Sequence, residues 1–339
     1  MLNFLWVLRV SELLQQKVDN LSNNPWAIGI DIGGTKIKLA NVDSRGVIHP
    51  KSYLEIDSNK NFAHQKKEIV QAVHLLQQNS AAPPIGIGIG IAGQVEAKTG
   101  LVHYAPNLQW RNIPLKAELE QATKLPVAIT NDVRAALWGE WLHGAGKGYQ
   151  DLICVFIGTG IGGGIVSGGK ILEGHKNSAG EIGHITLDLN GSPCTCGNIG
   201  CFEAHAGGWA IAARAEKALS QNIFIQSSLK TVNHALSGKD VIDAAHAGDT
   251  FSQELVQEAI RAMGAGITSL VNAFNPECVI LGGGIIHGLP EAIPAIKAYV
   301  ERYALKIASS SLKITPGQLR ASAGTIGAAT FAIHTLKRT

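Results

Sequence analysis

Apolar runs broken by glycine recur along the chain and predict its elements. Residues 27–31 predict a strand, residues 32–35 (Ile-Gly-Gly-Thr) a tight turn, and residues 36–43 a second strand. The same grammar returns at residues 152–157, an apolar run followed by the glycine turn 158–164 and a returning strand at 165–167. Two strand, glycine-turn, strand units predict a duplicated domain. Turns that both present backbone N–H groups to one cleft would hold a polyphosphate from two sides.

Between these units, Ile69, Val70, Val73 and Leu76 recur with helical period over residues 63–78. Residues 85–91 alternate Ile with Gly, which predicts a strand whose bare face lets another element pack closely, and residues 93–95 read as a loop. A helix over 115–122, a strand over 126–130 and a helix over 133–142 follow, with Asn131-Asp132 at the last junction. Further helices are expected over 208–219, 251–274 and 324–336, and a buried strand over 278–281 ends in Gly282-Gly283-Gly284. Alternation of strands and helices gives the α/β class. Residues 1–25 read as an extension with a turn or two of helix through Glu12 and Gln16.

Composition narrows the partners. At 339 residues and 45% hydrophobic, the chain can bury a substantial core. A net charge of +3 without a dense Lys/Arg run excludes the footprint of a nucleic-acid partner. Five cysteines, an odd number with three clustered, do not make a disulfide framework and fit the cytoplasm. Residues 1–10 are apolar but lack a leading basic region and a small-residue cleavage site, so no signal peptide is read there. No apolar run reaches the roughly 20 residues of a membrane span.

Candidate chemistry concentrates in residues 180–203. Cys194, Cys196 and Cys201 offer three thiolates and His184 an imidazole, the closed Cys3His set of structural zinc sites. Glu181 and Glu203 flank that set, so a metal closing the loop would fix both acids. Asp31, beside Gly33-Gly34-Thr35-Lys36, reads either as a Mg²⁺ holder acting through water or as an acid bonding its own turn. Asp132 reads either as a base that takes a proton from a hydroxyl attacking a phosphoryl group or, with Asn131, as a helix cap. Residues 164–170 have the spacing of a Walker A loop, but Ile171 replaces its Ser/Thr, which rules that motif out.

Together the run 30–36, Asn131-Asp132, the glycine turn 158–164, residues 180–184 and the loop 194–203 resemble the ROK family of bacterial sugar kinases and repressors, from about Trp26 to the end. The resemblance implies an actin-like (ribonuclease H-like) two-domain fold whose duplicated domains close over ATP and a sugar. It implies an N-terminal domain at 26–132, a C-terminal domain at 133–321, and a last helix at about 322–339 packing back on the first. By position, Asp132 matches the catalytic base, and Gly93, Asn107, Asn131, Glu181, His184 and Glu203 match sugar contacts. Asp31, Gly33, Gly34, Thr35 and Lys36 match residues that hold phosphate and Mg²⁺, as do Gly158, Thr159 and Gly160. Gly282 and Gly283 match the region of the nucleotide base. His184, Cys194, Cys196 and Cys201 match the zinc ligands. Residues 107–110 and 126–206 are most similar to the family's glucokinases, which implies ATP-dependent phosphorylation of the glucose 6-hydroxyl by a cytoplasmic homodimer or tetramer. Kinases of N-acetylmannosamine, N-acetylglucosamine or fructose share these motifs, and a sugar-responsive repressor is the remaining alternative. Arg134, His205 and Gly207 depart from the family pattern.

Overall fold

The computed structural model describes residues 24–337 except 59, 60, 79, 81, 97, 176 and 223. The helical turns expected in 1–25 lie outside the described residues. The chain divides into two compact units, Met1–His143 with Ala321–Thr339, and Gly144–Arg320.

The first unit is built on β1 (Trp26–Ile32), β2 (Lys36–Asp43), β3 (Leu54–Asp57), β4 (Ile87–Ile91) and β8 (Val127–Asn131), in the order β3-β2-β1-β4-β8. The β1–β2 and β2–β3 pairs are antiparallel; β1–β4 and β4–β8 are parallel. Its helices are α1 (Phe62–Gln78), α2 (Leu115–Thr123) and α3 (Asp132–His143). A small antiparallel sheet of β5 (Gln94–Glu96), β6 (Leu101–Ala105) and β7 (Trp110–Ile113) is inserted between β4 and α2. The loop expected at 93–95 therefore becomes an edge strand from Gln94, because β6 supplies the partner that a local pattern cannot show.

The second unit repeats the arrangement. Strands β9 (Leu152–Ile157), β10 (Ile161–Ser167), β11 (Lys170–Ile171), β12 (Cys278–Gly282) and β13 (Lys313–Pro316) take the order β11-β10-β9-β12-β13, with the same succession of antiparallel and parallel pairs. The glycine turn is shorter than expected. Pairing resumes at Ile161↔Ile157, so Gly162, Gly163 and Gly164 belong to β10 and the turn is Gly158-Thr159-Gly160. The helices are α4 (Phe202–Ala206), α5 (Gly208–Gln221), α6 (Gly238–His246), α7 (Thr250–Phe274), α8 (Gly284–Gly288) and α9 (Ala292–Tyr303). Local chemistry starts two of them: Ser237 and Asp240 close a capping box on α6, and Asp249 accepts the Ser252 N–H at the start of α7. Ile211, Val241, Met263, Ile267 and Ile296 bury their side chains against the second sheet's Ile153, Val155, Val279 and Leu281 in one core.

The boundary expected at Asp132 moves to His143, since α3 packs with the C-terminal helix Ala323–Leu336 inside the first unit. That helix lies on the bare face of β1 and β4. A Cβ at Gly88 would stand 1.8 Å from the Ala328 carbonyl oxygen, and one at Gly29 2.0 Å from that of Thr325. Backbone atoms cannot give way as a flexible side chain can. Gly88→Ala is expected to cost about 3 kcal/mol or more by overpacking, whereas Gly288→Ala, with open space around it, should change stability by less than about 1 kcal/mol. Thermal melting of the two variants checks this.

Candidate functional site

In the first unit, Asp31 occupies the end of β1, opposite Lys38 on β2 and Gly90 on β4. Its carboxyl is pushed up to about 6, first by burial and then by the negative charge of Asp132, with Lys38 pulling the other way. The two acids thus sense each other, and a hard divalent cation that prefers oxygen ligands would suit the pair. Asn131 caps the following helix: its Oδ1 accepts the N–H groups of Val133 at 2.9 Å and Arg134 at 3.3 Å. Asp132 is the first residue of α3, where the helix dipole favours a negative charge.

Asn107, in a short 3₁₀ turn before β7, packs on the first glycine turn; a Cβ at Gly34 would lie 2.7 Å from the Asn107 Cβ. Asn107 also lines a cavity of about 600 Å³ with Ser58, Asn61, Phe62 and Trp110. Gly93 is pressed against β6, where a Cβ would stand 2.8 Å from the Tyr104 carbonyl oxygen. Within the turn, the Gly33 N–H donates to the Lys36 carbonyl at 3.1 Å, and Thr35 is exposed. Lys36 forms an exposed ion pair with Glu55 at 2.6 Å, an occupation its sequence position did not suggest.

In the second unit, the Gly158–Gly160 turn is held from behind. Gly158 N–H donates to Gly160 O at 2.9 Å, and the first N–H groups of α5, from Gly208 and Trp209, donate to Gly158 O at 2.9 Å and Thr159 O at 2.8 Å. Gly283, at the end of β12, has φ +92° and meets the Ile157 carbonyl. Together with Gly282 it delivers the chain into α8.

The Cys/His loop follows β11 and is entered through Glu181, which is exposed, and a 3₁₀ turn, Ile182–His184. Bridges Thr186↔Cys201 and Pro193↔Ile199 fold it back, and Gly200 at φ +69° lets Asp188 approach. The ligand atoms of His184, Cys194, Cys196 and Cys201 all lie within 4.8 Å of one another. Cys194 Sγ is 3.7 Å from His184 Nδ1, and Cys196 Sγ is 3.7 Å from Cys201 Sγ. Tetrahedral zinc has edges of about 3.6 Å between S and N and about 3.8 Å between S and S, so the donor set fits the metal. Burial, followed by its neighbouring sulfurs, pushes the Cys201 thiol up to about 12, while the Asn198 backbone N–H pulls Cys196 down. A bound dication would favour the thiolates of both.

Glu203 lies in the first turn of α4 and is buried. One carboxylate oxygen accepts the Ile161 N–H at 2.7 Å and the other the Trp209 indole N–H at 3.1 Å. Trp209 escaped the sequence reading, although an indole following Gly207-Gly208 at a helix start was a visible signal. His205 packs on Gly191 of the Cys/His loop.

The ROK family profile matches residues 27–335. The chain belongs to the ROK family. It is similar to the glucokinase of Halalkalibacterium halodurans, with 38% identity over 89% of this chain and 93% of that protein. It is also similar to the xylose repressor of Bacillus subtilis, with 32% identity over 91% of this chain and 77% of the repressor. A crystal structure of a ROK glucokinase from Streptomyces griseus, in complex with glucose and AMPPNP, has a TM-score of 0.74 at 34% identity and covers 91% of this chain and 99% of its own. The paired sheets accord with the actin-like fold of ROK sugar kinases. No helix among the described residues is long and apolar enough to cross a membrane.

The folded Asp31 value lies above the ordinary 3.8, so the stability it contributes is present below about pH 4 and lost as pH rises through about 6. Asp31→Asn should therefore stabilise the ligand-free protein at pH 8 by about 1–2 kcal/mol, the shift being discounted for partial exposure, and by less than half as much at pH 4.5. Denaturant titrations at the two pH values test this. Cys196→Ser, at the exposed sulfur, should abolish stoichiometric zinc and make residues 184–201 susceptible to protease; retention of one zinc per chain would contradict the ligand set.

Proposed function

We propose that this protein is an ATP-dependent glucokinase that transfers the γ-phosphoryl group to the 6-hydroxyl of glucose, with Asp132 as the base. The observation that supports this most is the division of labour at the start of α3. Asn131 performs the capping, and the Asp132 carboxylate stands at the positive end of the helix within electrostatic reach of Asp31. The similarity to glucokinases over nearly the whole chain supports glucose as the acceptor.

In the reaction the 6-oxygen attacks the γ-phosphorus, the bond to the β-phosphate oxygen breaks, and ADP leaves. The hydroxyl proton passes to Asp132. A carboxylate at a helix N-terminus is a weak ground-state base, yet a loose transition state makes the hydroxyl acidic late, when transfer becomes favourable. By their match to the family's sugar contacts, Gly93, Asn107, Asn131, Glu181, His184 and Glu203 would each meet the sugar. Ionised carboxylates accept only and so match the many hydroxyl donors of a hexose. Asp31 with Gly33, Gly34, Thr35 and Lys36, the Gly158-Thr159-Gly160 turn, and Gly282-Gly283 would hold the nucleotide. For Lys36 this means leaving Glu55 for a phosphate oxygen, an exchange of one exposed partner for another. Mg²⁺, when bound near Asp31, would neutralise charge developing on the phosphates. Zinc, when bound by His184, Cys194, Cys196 and Cys201, would fix the loop that joins Glu181 to Glu203.

A repressor needs a sugar site but neither a base nor phosphate turns, and this chain keeps both. Asp132→Asn should lower kcat by about 10² to 10⁴ with little change in glucose affinity. Coupled measurement of ADP release, with fructose, N-acetylmannosamine and N-acetylglucosamine as competing acceptors, tests both base and substrate. Near-normal turnover by the variant would remove Asp132 from the role, and preference for another sugar would replace glucose.

A further inference from the structure

The Glu203 carboxylate lies at a junction that the proposed sugar contact alone does not require. Its Oε2 approaches Gly160 so closely that a Cβ there would stand 2.4 Å away, and it accepts the Ile161 N–H at 2.7 Å. Its Oε1 takes the indole N–H of Trp209 at 3.1 Å. Trp209 is itself tied to the same turn, its backbone N–H donating to Thr159 O at 2.8 Å. Gly207 permits this closeness, since a Cβ there would meet the Glu203 carbonyl oxygen at 2.8 Å and its Cγ at 3.0 Å. The carboxylate thus braces the turn expected to hold phosphate, and the indole braces the carboxylate.

A carboxylate has about four acceptor positions, and two of them are used here. The rest remain for sugar hydroxyls. A sugar that donates to those remaining positions holds the carboxylate in the orientation that receives the Ile161 N–H, and so steadies the support under Gly160. We propose that Trp209 is a positioning residue that couples the two substrates: by fixing the Glu203 carboxylate between α5 and the Gly158–Gly160 turn, it makes sugar occupancy alter affinity for the nucleotide phosphates. This rests on the reading above that Glu203 meets the sugar and the turn meets phosphate. Without the indole N–H, the carboxylate is free to turn about its last torsion toward the sugar, and the turn loses its support.

Calorimetric titrations of glucose, of Mg²⁺ with AMPPNP, and of each in the presence of the other give the coupling factor. For the unaltered protein, glucose should tighten the nucleotide on the order of tenfold, within the ordinary range of coupling between sites. Trp209→Phe, which keeps an aromatic ring and removes the N–H, should bring that factor to within about twofold of unity while glucose alone binds within about threefold of its normal affinity. Trp209→His, which restores a ring N–H, should recover part of the coupling. In the unaltered protein, glucose alone should also slow hydrogen exchange at the Ile161 amide, a measurement that needs no variant to fold. Equal coupling in the unaltered protein and a folded Trp209→Phe, or an Ile161 amide indifferent to glucose, overturns the proposal and leaves the kinase reading standing. Absence of any hexose binding by the unaltered protein overturns both.

Discussion

Contact between the C-terminal helix and the first sheet is backbone on backbone, because Gly29 and Gly88 present no Cβ to the carbonyls of Thr325 and Ala328. The first unit depends on that closeness. The segment from Ala321 returns to β1 after the whole second unit has intervened, and it brings Gly324 so near Asp31 that a Cβ there would touch the carboxylate at 2.6 Å. Asp31 is consequently recessed among β1, β2 and a helix start, which is why burial is the largest influence on its proton affinity. The same close approach draws in α3, since a Cβ at Gly327 would lie 1.7 Å from the Ala135 carbonyl oxygen. The charged groups proposed for catalysis are thus positioned by the missing side chains of residues that take no part in the chemistry.

The second unit uses a related device with a carboxylate in place of a helix. Glu203 can enter between the glycine turn and α5 only because Gly160 and Gly207 leave room. Two residues earlier in the chain, Cys201 closes the Cys/His cluster by lying 3.7 Å from Cys196 through its sulfur. Phe202, buried against Gly266 of α7, anchors the short helix between them. The Cys/His loop and the Gly158–Gly160 turn are therefore joined through one short step of chain. A loop with few apolar residues of its own gains order from the ligand set on one side and this anchor on the other.

The two units show what duplication conserves. Both sheets keep two antiparallel pairs followed by two parallel pairs, and both place a glycine turn after the central strand. The outer layers diverge, with a small three-stranded sheet in the first unit and the Cys/His loop with α4 in the second. The sheet fixes where the glycine turns present their backbone N–H groups, whereas the insertions supply the side chains in which the two units differ.

The sequence by itself determined the features whose causes are local. Alternating Ile and Gly over 85–91 announced a strand with a bare face, and the two strand-turn-strand units announced the duplicated sheets. His184, Cys194, Cys196 and Cys201, within eighteen residues, announced the cluster that the fold brings together. These follow from periods of two and 3.6 residues and from ligand spacing, which need no knowledge of distant neighbours. Tertiary structure alone decided the rest. It shortened the second glycine turn through the Ile161↔Ile157 pair, gave the Val133 and Arg134 N–H groups to Asn131, paired Lys36 with Glu55, and set Glu203 between Ile161 and Trp209. Three of those outcomes are contests among hydrogen-bond partners of similar chemistry. Which partner wins depends on distance and burial after folding, and neither quantity is written in the order of the residues.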